Sequence, residues 1–567
     1  MRLRRHAPFL AILAAAAFLR LWGLDWLPSP AGDEGNWTKY GHQILRGKEA
    51  ALDENVAYQS MLYAHLIAGV MAVFGPGFFA SRVVNGLAVL AAVIASYAVA
   101  ARLAPRRTAL VLAAGVAFHP WSIAYSRISS CPYGLAFAVE TIGALFFLLG
   151  LETQRIFGVA AGLLVMSLGA DFSPLTLAAP VACGVYALAR RHRWILRRWP
   201  TYAAVALGVL HAWPVVRSAL GVARRTAVEP YANVFFWRRV GTHVHMVLTG
   251  LGGEATLRHF TNVALSPGLA LIVAVPVLGF ALAALSHRAR ESSPLAGFGL
   301  VLLVSGAVLT PLILAPARDW DLPATHMDRY LFSLLPGFAL CVAAVSAIPG
   351  RAAVAAAACW LAWLAVSDAR MGGAFLLRDG VDQGEGVFDG GGGYRGWLVS
   401  DRPQAVAYQL RDEILQRVGP GGAALLVADR TFIPLTFVMD GTGIPVHDVG
   451  RTGIPPHPTD RYFILLWPDE VLSLGSPPIA PESYSTTDRG LRRAQRLRDR
   501  YRVVSESYVN TNRELRWRME RRFGERKQLV RVFRQRGGGP LLELWMAEGP
   551  DAAHLAAASR LAVVSQR

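Results

Sequence analysis

The sequence predicts a polytopic α-helical membrane protein of about eleven spans, with a large first outer loop carrying interfacial helices and a small C-terminal α/β domain. Three observations predict it. Residues 1–370 are dominated by apolar Ala/Leu/Val/Gly runs, many of them near the roughly 17–25 residues that a helix needs to cross a bilayer core. Charged residues make up 17% of the chain, against about 25% in an ordinary soluble protein. When the runs are counted as crossings, the N-terminus and the basic segments "RLAPRR" (102–107), "RRHRWILRR" (190–198) and "SHRARESS" (286–293) fall on one side, as the positive-inside rule requires.

The first run, "MRLRRHAPFLAILAAAAFLRLWGL", has the basic head and apolar core of a signal peptide. The many spans behind it favour a retained first helix. Arg20, near its outer end, either snorkels to the interface or meets a polar cavity. The crossings read as 7–25, 80–103, 108–126, 132–151, 156–171, 174–190, 200–217, 264–286, 295–315, 329–348 and 351–369. The apolar stretch "SMLYAHLIAGVMAVFG" (60–75) is read as interfacial or re-entrant, because a crossing there would invert every later loop. The first outer loop then runs over 26–79, and 218–263, 316–328 and everything after 370 also fall outside. Arginine and aromatic residues alternate in "RRTAVEPYANVFFWRRVGTHVHMVLTGLGG", as in short helices lying at an interface.

Domain 1–370 ends in a Gly-rich linker over 371–398. In 399–567, the stretch 402–418 fits a helix, and "GGAALLVADRTF" (421–432), "RYFILLW" (461–467) and "GPLLELWMAEG" (539–549) fit buried strands. Residues 489–536 hold 17 Arg/Lys against 5 Asp/Glu and read as a solvated helical face, with contact to anionic lipid as the alternative. No GxGxxG or P-loop opens a helix there. The formal net charge of +18 sits largely in loops beside spans and in that late segment, so it points to topology and lipid and not to nucleic acid. Cys131, Cys183, Cys341 and Cys359 have no CxxC spacing and read as buried, inert thiols.

Directly after the first run comes "PSPAGDEGNWTKYGHQILRGK" (28–48), with adjacent carboxylates at Asp33 and Glu34. Adjacent residues cannot share a helical face, where spacing is three or four. Asp33 therefore either caps the helix of "EGNWTKYGHQIL" or serves a reacting site. The wider pattern resembles the C-type superfamily of membrane glycosyltransferases, which includes the protein O-mannosyltransferases and the aminoarabinose transferases of lipid A. Four blocks carry the resemblance, in order over about 1–350: "FLRLWGLDWLPSPAGDEGNW" followed by Tyr40 and "ILRG"; "FGPGFFASRVVNGLAVL" (74–90); "HPWSIAYSRISSCPYGLAF" (119–137); and "DRYLFSLLPGFAL" (328–340). Many relatives carry Lys/His-Pro-Pro-Leu-Tyr before the interfacial helix. Here the stretch is "AYQSMLY" (57–63), which keeps a tyrosine, Tyr63, and lacks the basic residue and the prolines, as in a divergent branch.

The resemblance implies transfer of a sugar from a polyprenyl-phosphate carrier to an acceptor hydroxyl, with inversion, on the outer side of a bacterial inner membrane. Phosphate is already a good leaving group, so one carboxylate suffices as base, whereas glycosidases need two. Asp33 is the expected base and Glu34 a supporting or metal-related group; a divalent metal is possible. Cations aimed at the carrier phosphate are expected among Arg127, Arg238, Arg239 and Arg329, with Tyr133 and Tyr330 as hydroxyl donors. Tyr40, Tyr63 and Asp171 are candidates for acceptor contact or support. Asp171 stands out as an unpaired acid at membrane depth. His243 and His245, at spacing two, make a poor metal site, and His119, Asp319 and Asp321 are weaker candidates. The acceptor is a lipid, glycan or protein. A transporter or lipid flippase is the competing class; it predicts inverted repeats and broken helices at matching places in two halves, and no such symmetry is visible.

Overall fold

The computed structural model describes residues 2–25, 34–48, 61–129, 132–226, 247, 250–253, 256, 294–314, 328–348, 351–372, 406–418, 422–427, 435–448, 461–466, 506–534 and 540–549. The chain divides into two compact units. One holds Met1–Leu24, Tyr40–Pro76 and Ala80–Leu377; the other holds Asp25–Lys39, Gly77–Phe79 and Arg378–Arg567.

The apolar runs become helices, in chain order α1 (Arg2–Leu21), α2 (Glu34–Leu45), α3 (Leu62–Phe74), α4 (Phe78–Leu103), α5 (Arg106–Phe118), α6 (Pro120–Ser126), α7 (Tyr133–Glu152), α8 (Ile156–Leu168), α9 (Ala178–Ala189), α10 (Trp199–Thr226), α11 (Pro294–Leu314), α12 (Leu335–Ala347) and α13 (Arg351–Gly372). Among the described residues α4 and α7 are long and apolar enough to cross a membrane, and α5 with α6 forms a third such stretch bent by 51°. That bend corrects the unbroken span expected over 108–126. Pro120 has no N–H to give to the preceding turn and stands at the first position of α6. His119 caps the new helix, its Nδ1 accepting from the Trp121 N–H at 3.1 Å. The stretch 60–75 forms α3, 13 residues and too short to cross alone. The expected span 264–286 lies outside the described residues.

Helices in a bilayer gain nothing from burying apolar surface against one another, so close backbone approach matters more. The α7–α8 pair shows it. A Cβ on Gly162 would lie 2.5 Å from the Phe147 nitrogen, and one on Gly150 would lie 2.4 Å from the Val159 nitrogen. Cys183 and Cys341 are buried as expected; Cys359 is exposed, which corrects that expectation, and Cys131 lies outside the described residues.

The second unit contains a five-stranded sheet of order β2-β1-β3-β5-β4. Its strands are β1 (Ala423–Val427), β2 (Val446–Asp448), β3 (Arg461–Leu466), β4 (Lys527–Arg534) and β5 (Pro540–Glu548). β1 pairs in parallel with β2 and β3, and β5 runs antiparallel to β3 and β4. Alternate residues face opposite sides. Leu425, Val427, Phe463 and Leu465 pack with Leu410 and Ile414 of α14 (Val406–Leu415), and Leu435 and Val438 of the one-turn α15 (Leu435–Val438) join the same core. Ala424, Leu426, Tyr462 and Ile464 pack with Leu515, Met519 and Phe523 of α16 (Glu506–Phe523). The solvated helical face expected over 489–536 is thus corrected. Its described part is a helix with one apolar face against the sheet, followed by a strand.

Candidate active site

The C-terminal end of α1 is held by three buried arginines from three parts of the first unit. Arg20 donates to the Ala16 carbonyl (3.1 Å) on its own helix, to the Ala117 carbonyl (2.6 Å) and to Ser122 Oγ (2.8 Å). Arg127, immediately after α6, donates to the carbonyls of Leu19 (2.6 Å) and Trp22 (2.7 Å). Arg82, one turn into α4, donates to the Leu24 carbonyl at 3.0 Å. All three are fully buried.

Beside them α4 holds the segment that follows Arg127. The Asn85 amide donates to the Ile128 carbonyl (2.8 Å) and to the Tyr63 hydroxyl (3.1 Å), and its oxygen accepts from the Leu135 N–H (3.1 Å). Ser81 and Ser129 share a hydroxyl contact of 2.8 Å. Tyr63, from α3, also reaches the Ser129 carbonyl at 3.5 Å. Gly134 lets this happen, since a Cβ there would lie 3.0 Å from Asn85 Cβ and from the Tyr125 carbonyl.

Tyr133 opens α7 in an aromatic group. Its ring meets those of Tyr125 (6.0 Å), Tyr330 (6.0 Å) and Phe332 (5.7 Å), and Trp121 stacks on Tyr125 at 4.8 Å. The Arg329 guanidinium lies 4.8 Å from the centre of the Tyr330 ring, in cation–π range. Of the residues expected to meet the donor phosphate, the structure thus groups Tyr133, Arg329 and Tyr330, while the terminal nitrogens of Arg127 bond the end of α1.

Glu34 is the first residue of α2 and is fully buried, at the helix end that favours a carboxylate. Thr38 Oγ1 donates to its carbonyl at 2.6 Å, and Tyr40 on the same helix is buried too. Asp171 is corrected from an unpaired acid to a paired one. Its Oδ2 lies 2.8 Å from Nε2 of His211 on α10, with the acid buried and the imidazole side chain 38% exposed. Placing Asp171 in a one-turn 3-10 helix after α8 brings it there, a contact across 40 residues that no local pattern signals. Asp33, Arg238, Arg239, His243, His245, Asp319 and Asp321 lie outside the described residues. His119 is spent on structure, its Nε2 lying 3.2 Å from the Leu251 carbonyl.

The sequence blocks at 74–90 and 119–137 contain Ser81, Arg82, Asn85 and Ser129, but no role was read for them, because they sit inside or beside apolar runs. The one available signal was a guanidinium and an amide three residues apart at the start of a span, costly in a bilayer unless partnered. Glu140, a fully buried acid in the middle of α7, was likewise given no role. Among the described residues no group of three or more His, Cys, Asp or Glu is placed to hold a metal ion.

Comparison with known proteins bears on this arrangement directly. Residues 58–217 match the family described as dolichyl-phosphate-mannose-protein mannosyltransferase. That stretch contains Tyr63, Ser81, Arg82, Asn85, Arg127, Ser129 and Tyr133. The crystal structure of ArnT from Cupriavidus metallidurans bound to undecaprenyl phosphate superposes with a TM-score of 0.51 at 14% identity, covering 83% of this chain and 94% of that one. The chain shares the fold of that ArnT structure. The apo form of the same ArnT matches with a TM-score of 0.40 at 15% identity, over 82% of this chain and 94% of that one. The Archaeoglobus fulgidus oligosaccharyltransferase, in complex with Zn and sulfate, matches with 0.39 at 12%, over 77% and 62%. No curated protein matches. Sequence match and fold agree on a membrane glycosyltransferase, and the match spans the blocks at 74–90 and 119–137.

Proposed function

We propose that the protein transfers a sugar from a polyprenyl-phosphate carrier to an acceptor hydroxyl, inverting the anomeric carbon, on the extracytoplasmic side of a bacterial inner membrane. The observation that carries this reading is the mannosyltransferase match over 58–217, the stretch that supplies most of the buried polar network at the end of α1. The ArnT structure, whose fold is shared, contains undecaprenyl phosphate.

In the proposed step the Asp33 carboxylate accepts the proton of the acceptor hydroxyl as its oxygen bonds the anomeric carbon. The bond from that carbon to the carrier oxygen breaks, and its electron pair leaves on the phosphate. No acid is needed for this leaving group, so a single base serves. Charge grows on the phosphate during the step and requires donors already in place. Arg329 is the first candidate, because its guanidinium is stacked on Tyr330 and so held as a flat fork. Tyr133 and Tyr330 supply hydroxyls beside it, and Arg238 and Arg239 are further proposed contacts. Glu34, buried at the start of α2, supports the base. Tyr40, Tyr63 and Asp171 with His211 are proposed on the acceptor side. The acceptor is a lipid, glycan or protein hydroxyl, and the C-terminal unit is proposed to face the same compartment.

The test is Asp33→Asn in the full chain, with envelope glycolipids and glycoproteins compared by mass spectrometry against the wild type and a deletion strain. A glycan absent from the deletion strain is absent from the variant too, at equal membrane abundance, while binding of undecaprenyl phosphate to the purified variant stays within about twofold, since the base is not a phosphate ligand. A variant that restores the glycan removes Asp33 as the base.

A further inference from the structure

We propose that the Asp171–His211 pair is a headgroup site for a membrane phospholipid whose head carries a phosphate and a primary ammonium. Binding there needs neither Asp33 nor the donor contacts; only its place on the acceptor side rests on the proposed function. The two side chains meet because α10 packs closely on α8. Ala204, Ala212 and Val215 are buried along one stripe of α10, and a Cβ on Gly208 of that stripe would lie 3.1 Å from Ser167 Cβ. Asp171 stands four residues after Ser167 and His211 three after Gly208, so the next turn brings Nε2 of the imidazole to 2.8 Å from Oδ2 of the acid. Among the described residues this is the one hydrogen bond that either side chain makes.

The surroundings are those of lipid at the edge of a bilayer. Val205, Leu207, Val209 and Leu210 are 49–71% exposed on α10. Trp199 and Trp213 are exposed too, 14 positions apart, or about 21 Å along a helix. Exposed tryptophans mark the membrane–water interfaces, so the apolar band here is thinner than the roughly 30 Å of an ordinary bilayer core. The 13 residues of α8 span about 20 Å and fit the same band. Asp171 lies just beyond α8, in the turn that leads to α9. His211 is two residues from Trp213, about 3 Å along the axis, at the level where phospholipid heads begin.

The atoms left open select the ligand. The acid is buried and the imidazole side chain 38% exposed, which is costly against hydrocarbon without a polar partner. In the imidazolium form both ring nitrogens donate, Nε2–H to Asp171 and Nδ1–H to an anion. Asp171 Oδ1 remains as a hydrogen-bond acceptor. The Leu210 carbonyl is a second, because Pro214, four residues later in the helix, has no N–H to give it. A phosphate takes the Nδ1–H, and a primary ammonium donates to the two oxygens. Carboxylate, imidazolium, phosphate and ammonium then form a neutral, charge-assisted group. A choline head carries the same charges without an N–H, and a glycerol head has no cation.

The full-length protein in mild detergent is titrated with phosphatidylethanolamine, phosphatidylcholine and phosphatidylglycerol, and bound lipid is counted by native mass spectrometry. Phosphatidylethanolamine is expected to bind about tenfold more tightly than the other two, the scale of one hydrogen bond to a charged group. Asp171→Asn removes the anion and His211→Gln the cation, and each should bring the three lipids within about twofold. Equal binding by the wild type overturns the inference, as does a preference that survives both substitutions. Tighter binding of phosphatidylglycerol also overturns it, because the pair would then be an anion site. Displacement by an equal concentration of water-soluble phosphoethanolamine overturns a bilayer lipid as the occupant. Should neither variant accumulate, mono- and dimethylated phosphatidylethanolamine carry the test on the wild type. Affinity is expected to fall with each methyl added, and affinity unmoved by methylation overturns the site. The preference should persist in Asp33→Asn, so loss of the proposed base leaves this site standing.

Discussion

A single guanidinium can serve a fold or a ligand, and its hydrogen bonds tell which. Arg127 and Arg329 were both phosphate candidates in the sequence, with Arg329-Tyr330 the more favoured. The structure separates them: Arg127 donates to two backbone carbonyls, while Arg329 stacks on Tyr330 in a group that contains Tyr133. Arg329→Ala should therefore act on donor binding. A hydrogen bond to a charged group contributes about 1.5–3 kcal/mol, so the donor KM is expected to rise roughly 10- to 100-fold. Melting of the purified protein should move less than donor binding, because Tyr133, Tyr330 and Phe332 keep their mutual ring contacts. Steady-state kinetics over a donor series reads the first effect and thermal melting the second. An unchanged KM would remove Arg329 from the donor site.

At the scale of elements, hydropathy and punctuation made most helices legible. Runs such as "FFASRVVNGLAVLAAVIASYAVAARL" give α4 with almost no ambiguity. What stayed hidden was cross-chain bonding. Arg20 and Ala117 lie 97 positions apart, and Arg127 and Leu19 lie 108 apart, so nothing local marks Arg20, Arg82 or Asn85 as one network. In the C-terminal unit, β2 has three residues and carries too little pattern, and the arginines of "KQLVRVFR" masked β4, whose register is shifted between Leu529 and Arg531. The glycines of α7 and α8 were legible as residues but not as an interface. Gly162→Leu is expected to force the two helices apart, since even a Cβ there would lie 2.5 Å from Phe147 N. Overpacking of this kind costs about 1–3 kcal/mol, enough to lower the melting temperature by several degrees. Gly184→Leu is the control, because nothing lies within 4 Å of its would-be Cβ. Equal melting of the two variants would show that the α7–α8 contact is not tight.

For the whole molecule, the chemistry depends on sidedness. A carrier sugar is reached from one face of the bilayer, so the proposed base, the donor contacts and the acceptor must share that face. The evidence for the assignment is charge. The N-terminus and the connections at 102–107, 190–198 and 286–293 are rich in arginine, and basic loops remain cytoplasmic. In the proposed orientation α1 crosses outward, and the turn at Gly23, the stretch 127–132 and Arg329 are expected on the opposite side. If α3 crossed as well, "RLAPRR" and every later loop would exchange sides, and the proposed base and donor contacts would no longer share a face. Reporter fusions decide between the two. A phosphatase that is active only outside the cytoplasm, joined after residue 130 or after residue 372, is expected to be active, and joined after 104 or 192 to be inactive. A fluorescent protein that matures only in the cytoplasm should give the reverse pattern. The opposite outcome at 104 and 130 would make α3 a crossing, place Arg329 in the cytoplasm, and remove it from the proposed donor site.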